Sequence, residues 1–411
     1  MRLVFGMLVA GLAIGASAPA CAQISDDVVK IGVLTDMSGI VSDATGEGSV
    51  VAAQLAAEEF GNRVAGKPVQ IVFADHQLKP DVGASIARKW FEQEGVDAIA
   101  DVPNSAVALA VQEVARTRSR VMLFSSPGTT ALTNQFCAPT SVAWTFDTYA
   151  LARGTAKTVV EGGGKSWYFV TADYAFGHQL QKDASAVVQA NGGKVLGASA
   201  HPQGTTDFAS FLLQAQASKA NIVGLANAAG DTVATIKQAE EFGLTAGGQK
   251  MAAMLLLLTD VHSLGLQATQ GTFLTTPFYW DLNEQTRAWS EKFAGRRKGQ
   301  RPTFMQIGVY EAVRHYLQAI EATGSDDANN VIAKMRATPI ESAFTHGATI
   351  REDGRVVRDM YLAEVKAPKE SKGEWDIYKI LRTIPARDLT IPPTEALTRY
   401  QTSDCNIRGQ Q

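Results

Sequence analysis

Val28-Val-Lys-Ile-Gly-Val-Leu34, the segment Glu47 to Phe60, and Val69-Gln-Ile-Val-Phe-Ala-Asp75 decide the fold. Two short apolar runs, rich in β-branched residues and of strand length, bracket an amphipathic stretch of helical length. The same alternation continues: Asp81 to Glu94 and Ser105 to Arg116 are helix-like, Val96 to Asp101 and Val121 to Phe124 strand-like. Strand, helix and strand in succession build a mostly parallel sheet with helices on both faces, an α/β architecture.

The alternation restarts after Trp144. Trp167 to Thr171, Lys194 to Leu196, Ile222 to Ala226 and Met251 to Leu258 read as strands, interleaved with helices at Phe176 to Ala190, Asp207 to Ala217 and Asp231 to Phe242. A second sheet is the simplest account. The run Met251-Ala-Ala-Met-Leu-Leu-Leu-Leu258 is too short to cross a bilayer and predicts a central strand buried on both faces. Beyond Gly271 lie two helical patterns, Glu284 to Arg297 and Thr303 to Ala322. A β-rich tail follows at Ala348 to Arg351, Met360 to Val365 and Trp375 to Ile384, with a hairpin signal at Asp353-Gly354. No low-complexity linker divides the halves, so strands that cross between lobes are expected rather than a tether.

The 411 residues are 45% hydrophobic and 19% charged with a net charge of −3, enough for two domains with cores and without a basic surface for nucleic acid or anionic lipid. Residues 1–22 read as a secretory signal. Arg2 precedes an apolar stretch from Leu3 to Ile14, and small residues end at Ala20-Cys21-Ala22, an A-x-A site that predicts cleavage before Gln23. Ala18-Pro19-Ala20 lacks the Leu expected if Cys21 were lipidated. Export leaves Cys137 and Cys405, which suggest one disulfide in an oxidising compartment, two free thiols being the alternative.

An exported hydrolase is the rival class, and its signals are absent. There is no G-x-S-x-G elbow and no H-E-x-x-H, and none of His76, His178, His201, His262, His315 and His346 has another His within a helical turn. Gly164-Lys165-Ser166 lacks the leading Gly of a phosphate loop, since Val159 stands there. Asp75-His76 reads as a structural pair at a strand end, whereas Asp173-Tyr174 and Asp260-Val261-His262 follow strands where open α/β sheets bind ligands and read equally as ligand contacts or as loop scaffolding.

Four motifs in register carry a resemblance: Lys30-Ile-Gly-Val-Leu-Thr-Asp-Met-Ser-Gly39, Pro103-Asn-Ser-Ala-Val-Ala-Leu-Ala110, Ser125-Ser-Pro-Gly-Thr-Thr130 and Asp173-Tyr-Ala-Phe-Gly177. From about Val28 to about Arg382 the chain resembles the leucine/isoleucine/valine-binding proteins of ATP-driven uptake systems. The resemblance implies two Rossmann-like lobes with parallel central sheets, joined by three crossover strands, with ligand in the cleft between them. Lobe 1 would comprise 28–143 and 279–344 and lobe 2 144–278 and 345–390, with 391–411 a C-terminal tail.

The same resemblance implies a site. Asn104 and Ser105 match the helix N-terminus that holds a ligand carboxylate, where exposed N–H groups and the helix dipole favour an anion. Ser126, Gly128, Thr129 and Thr130 match a loop that binds the same head group. Tyr174 matches the tyrosine after the first strand of lobe 2, and Asn227, Ala228 and Asp231 match the loop after its third. Two departures stand out. Ala228 and Ala229 replace a bulky tyrosine, and Leu255 to Leu258 occupy the place of a glutamate that pairs with a ligand ammonium, leaving Asp260 as the nearest carboxylate. Trp144, Phe146, Phe278, Tyr279 and Trp280 flank the expected crossovers and either line an apolar cleft or pack within a lobe.

The expectation is therefore a non-enzymatic, monomeric periplasmic receptor without cofactor or metal, which captures a small hydrophobic carboxylate, aromatic rather than an amino acid, and docks on a membrane permease. Branched-chain amino acid binding, a sensory receptor of the same fold and an exported amide or ester hydrolase are the alternatives.

Overall fold

The computed structural model describes residues 24–391. The first lobe is built from β1 (Val29–Thr35), α1 (Gly46–Glu58), β2 (Arg63–Val64), β3 (Lys67–Asp75), α2 (Pro80–Gln93), β4 (Ala98–Asp101), α3 (Ser105–Arg116), β5 (Val121–Phe124) and β6 (Ser141–Ala143). Its sheet runs β2-β3-β1-β4-β5-β6, parallel except for the β2–β3 hairpin. Register sets Thr35 beside Asp75 and Asp101 beside Phe124, so the loops after β1, β3, β4 and β5 emerge along one carboxyl edge. That edge is where an open α/β sheet binds its ligands.

Two short helices, α4 (Thr148–Leu151) and α5 (Lys157–Glu161), flank a π-helical stretch and lead into the second lobe. There β7 (Ser166–Ala172), α6 (Ala175–Ala190), β8 (Lys194–His201), α7 (Ala209–Ala217), β9 (Ile222–Ala226), α8 (Gly230–Glu241) and β10 (Lys250–Ala253) form a parallel sheet of order β10-β9-β7-β8. Then come α9 (Leu258–Leu264), α10 (Leu266–Thr269), β11 (Phe273–Thr276), α11 (Glu284–Arg296), α12 (Phe304–Thr323) and α13 (Ala328–Ala337). A hairpin of β12 (Thr349–Ile350) and β13 (Val356–Val357) turns at Gly354, whose φ of 83° suits glycine. Finally β14 (Met360–Val365) and β15 (Tyr378–Ile384) complete the antiparallel sheet β11-β14-β15.

One face of the first sheet is covered by α2 and α3 through Trp90, Phe91, Val107 and Val111, the other by α1 and α12. Helix α12 is well delimited. Thr303 and Gln306 cap its start reciprocally, and Gly324 in the left-handed region ends it. Its length of 20 residues and nearly continuous burial make it the spine of lobe 1.

The chain passes between the lobes three times, after β6, after β11 and before β14, and two buried ion pairs tie these passages together. Arg355 donates to Asp147 at 2.7 Å and to the carbonyls of Ala143 and Trp144 at 3.3 and 3.5 Å. Arg358 donates to Glu311 at 2.7 Å and to the carbonyl of Pro277 at 3.5 Å. Glu311 also accepts from the indole of Trp144 at 3.2 Å and the hydroxyl of Ser342 at 2.5 Å. One carboxylate on α12 thus holds all three passages.

The expected central strand at Met251 to Leu258 is corrected by the structure: only Lys250–Ala253 is strand, at the edge of its sheet, and α9 begins at Leu258. Met254, Leu255, Leu256 and Leu257 are buried all the same, and a short apolar run does not by itself separate strand from buried turn. The carboxylate of Asp260, accepting from the amide of Leu257 at 2.9 Å, fixes the helix start. Neither β11 nor α13 stands out in the sequence pattern. Cys137 is buried and disulfide-bonded, while Cys405 lies outside the described residues. So does the expected signal at 1–22.

Candidate functional site

The loops at the carboxyl edges of the two sheets meet. The amide nitrogen of Asn104, from the first lobe, donates to Gln203 of the second at 3.0 Å, and the amide of Gly230 donates to the carbonyl of Ile40 at 3.4 Å. A Cβ on Gly128 would stand 2.6 Å from the ring of Phe146 and 2.9 Å from that of Phe176, so only glycine lets the two lobes close here. Around this meeting of the lobes, Ile40, Val41, Phe146, Phe176, Ala228, Ala229 and Leu255 belong to one apolar cluster.

Backbone strain concentrates along the same edge. Asp101 and Val102 adopt φ of 81° and 62° immediately before Pro103-Asn104-Ser105, and Ala229 adopts 50° before α8. Such conformations are costly for residues with a Cβ, above all a β-branched one, and cluster at ligand sites. No sequence pattern signalled them.

Helix α3 starts at Ser105, the position for which the family resemblance implied an anion site. The side chain of Asn104 accepts from the amides of Ala106 and Val107 at 2.9 and 3.1 Å, a regular N-cap. Ser105 is buried, and its hydroxyl has no hydrogen-bond partner among the described residues; the same holds for Thr130. Ser126 donates instead to Asp101, which also receives Thr35 at 2.7 Å and Ser125 at 3.0 Å. Burial pushes Asp101 toward its protonated form against these hydroxyl donors, which lessens repulsion of an anion in front of it. Thr129 caps Ala131 at 3.3 Å, and the carbonyl of Gly128 accepts from Thr148 at 2.8 Å.

From the other lobe, Tyr174 stands at the N-terminal end of α6, without a side-chain cap bond, and lies near Asp231. Burial first, and the charge of Asp231 second, raise its phenol above the ordinary range. Asp231 is buried and pushed up to about 7 by desolvation, against hydrogen bonds from the backbone of Gly204 and Thr205. Asn227 is committed within its lobe, to His201, Thr232 and Thr235. Asp260 stands apart as the cap of α9, with desolvation raising it to about 7 and Asp43 adding to the effect.

The aromatic candidates divide. Phe146 is buried where the lobes meet, edge-on to Phe304 at 5.1 Å and beside Gly128. Trp144 is held by Glu311, Tyr279 is bonded to the backbone of Trp375, Ile377 and Tyr378, and Trp280 bonds to Trp375. His76 is a structural residue: its ring accepts from the amide of Leu78 at 3.0 Å, and burial lowers its pKa to about 4. A separate cavity of about 650 Å³, lined by Gly163, Asn221, Lys250 and Gln267 among others, lies at the amino ends of the lobe 2 strands and touches none of the candidate residues.

A family model described as periplasmic binding protein matches residues 28–374. The chain belongs to the periplasmic binding protein family. A periplasmic binding protein from Burkholderia mallei is 46% identical and superposes with a TM-score of 0.88 over 90% of this chain and 98% of that one. A branched chain amino acid ABC transporter periplasmic ligand-binding protein from Burkholderia xenovorans is 37% identical, with a TM-score of 0.79 over 89% and 98% of the two chains. A solute binding protein of an ABC transporter from Rhodopseudomonas palustris, in complex with 3,4-dihydroxybenzoic acid, shares the fold at 23% identity, with a TM-score of 0.79 over 88% and 98%. Among curated proteins none matches. The resemblance read from the four motifs and the α/β fold of two lobes with parallel sheets therefore hold.

Proposed function

We propose that this binding protein is the ligand-capturing component of an ATP-driven uptake system, and that its ligand is a small hydrophobic carboxylate, an aromatic acid foremost. It acts as a receptor without turnover: the lobes, 28–143 with 279–344 and 144–278 with 345–390, close on the ligand as a monomer, and the closed form docks on a permease. Its signal segment directs export and is cleaved near Ala22.

The observation that carries this reading is the pair of buried hydroxyls of Ser105, at the start of the twelve-residue helix α3, and Thr130, in the loop after β5, neither of which has a hydrogen-bond partner among the described residues. A carboxylate placed there receives both hydroxyls and the positive end of the helix. The dipole contributes about 0.3–1 kcal/mol, rising to about 2 when partly buried, and each hydrogen bond to a charged group adds roughly 1.5–3 kcal/mol. The surrounding cluster is apolar, and Leu255 and Leu257 are buried where the amino acid binders place an ammonium partner. The complex of the R. palustris neighbour with 3,4-dihydroxybenzoic acid accords with this ligand class.

Branched-chain amino acids are the second reading, favoured by the description of the 37% identical relative. Titration calorimetry with benzoate and cinnamate, their amides, leucine and phenylalanine separates the two. The acids should bind, and the amides should lose at least tenfold, about 1.4 kcal/mol. Added α-ammonium should weaken binding, because that group would enter an apolar cleft. Micromolar leucine binding with no binding of any aromatic acid would refute the ligand assignment.

A further inference from the structure

Asn104 works in two directions through one planar amide. Its Oδ1 accepts from the backbone amides of Ala106 and Val107 at 2.9 and 3.1 Å, which caps α3. With the oxygen turned to the helix, the nitrogen of the same amide points away from it, and there it donates to Oε1 of Gln203 on the other lobe at 3.0 Å. Gln203 lies in the loop between β8 and α7, which is braced on its own lobe. Thr205 donates to the carbonyl of Pro202 at 2.6 Å, and Nδ1 of His201 donates to the same carbonyl at 2.9 Å. The amide of Gly204 donates to both carboxyl oxygens of Asp231, at 3.0 and 3.3 Å, and Gly204 turns the chain with a φ of 79° that suits glycine. A fixed loop therefore presents Gln203 to a buried partner on the opposite lobe. The other bond where these loops meet, from Gly230 to Ile40, is backbone to backbone and longer, at 3.4 Å.

We infer that Gln203 is a positioning residue for ligand retention: acting through Asn104, it latches the lobes together over a captured molecule and slows its release, without touching that molecule. The inference rests on lobe closure in the proposed function and not on its ligand class. When the lobes separate, the Asn104 nitrogen and the Gln203 oxygen exchange each other for water. The bond then favours the closed form by its net value alone, about three- to tenfold in the equilibrium between open and closed forms. A ligand that binds the closed form gains in proportion to that equilibrium, whatever its own chemistry. Ligand enters the open form, in which the bond is not made, so association is insensitive to Gln203 and the effect falls on dissociation. A side chain that touched the ligand would behave differently, because its removal would change the ranking of ligands and not only their common scale.

Stopped-flow tryptophan fluorescence of the full mature protein with benzoate, cinnamate and leucine tests this in Gln203→Met, which keeps the size of the side chain and removes its acceptor. The dissociation rate of every probe that binds should rise by one common factor of about three to ten, with association unchanged to within about twofold. Gln203→Ala gives the same reading should the methionine variant fold poorly, and unliganded melting checks both. Unchanged dissociation overturns the latch, as does an effect carried by association. Factors that differ more than about threefold between probes mark a ligand contact and likewise overturn it. If leucine alone binds, the aromatic-acid reading falls, while leucine dissociation about three- to tenfold faster in the variant still supports the latch. If none of the three binds, small-angle scattering of the unliganded proteins decides: a larger radius of gyration in Gln203→Met supports the latch, and equal radii overturn it.

Discussion

Replacing Arg358 by Met should be among the most destabilising single changes in the interior. Glu311 is fully enclosed, its carboxylate receiving Arg358 at 2.7 Å, Trp144 at 3.2 Å and Ser342 at 2.5 Å. Burial alone would raise its pKa, but the charge of Arg358 and the surrounding hydrogen bonds outweigh burial and hold it below the ordinary carboxylate range. With Arg358 removed, two neutral donors remain for a buried charge, and breaking such a pair costs about 3–5 kcal/mol. Replacing both partners, as in Glu311→Gln with Arg358→Met, should recover much of that loss, a coupling on the order of 2 kcal/mol. The sign of the pH dependence follows from the depressed pKa. The stabilisation is present above the unfolded-state value and is lost as pH falls through the folded one, so the deficit of Arg358→Met should shrink in acid. Urea unfolding of the four proteins at pH 7.5 and pH 4 measures the cycle. A loss below 1 kcal/mol for Arg358→Met, or strict additivity, would refute the idea that this pair knots the three passages.

Three further outcomes are expected. Tyr174→Ala should weaken ligand binding while leaving the unliganded fold within about 1 kcal/mol, since the ring is only half-buried; a loss of ~3–5 kcal/mol in unliganded melting would mark it as core instead. Asp260→Asn should stabilise the protein progressively as pH rises from about 4 to about 7 and evenly above that. The wild-type carboxyl, raised by burial to about 7, contributes most below its unfolded value near 3.9 and loses that contribution through the folded one. The gain is at most about 4 kcal/mol, and a flat difference across that window in thermal melts would contradict it. Cys137 should be joined to Cys405, closing a loop worth about 4–5 kcal/mol in the chain-entropy model; two free thiols in mass spectrometry of the non-reduced digest would end that assignment.

The strands and helices of both sheets were legible because each obeys a single period: α3 spans Ser105–Arg116 and β9 spans Ile222–Ala226, as the pattern predicts. The run at 251–258 was misread because burial without periodicity carries no information on conformation. At the site, what could be read were residue types at a helix start, Asn104 and Ser105. What could not be read were tertiary facts. Ser126 turns inward to Asp101, Asn227 is consumed by His201, Thr232 and Thr235, and Asp260 caps a helix, each by a contact with a residue that its own neighbourhood in sequence does not fix.

The positive-φ backbone of Asp101, Val102 and Ala229 lies further still from sequence reasoning, because local propensity argues against it. Such strain persists only where the surrounding structure imposes it. At Asp101 the imposing structure is visible: a buried carboxyl fixed by Thr35, Ser125 and Ser126 from two neighbouring strand ends leaves the chain one way to turn into α3. The hydroxyls that brace Asp101 therefore fix the turn that sets Asn104 and Ser105 at the start of α3. The sequence displays the residues proposed to meet a carboxylate, and the fold supplies the strained turn that aims them.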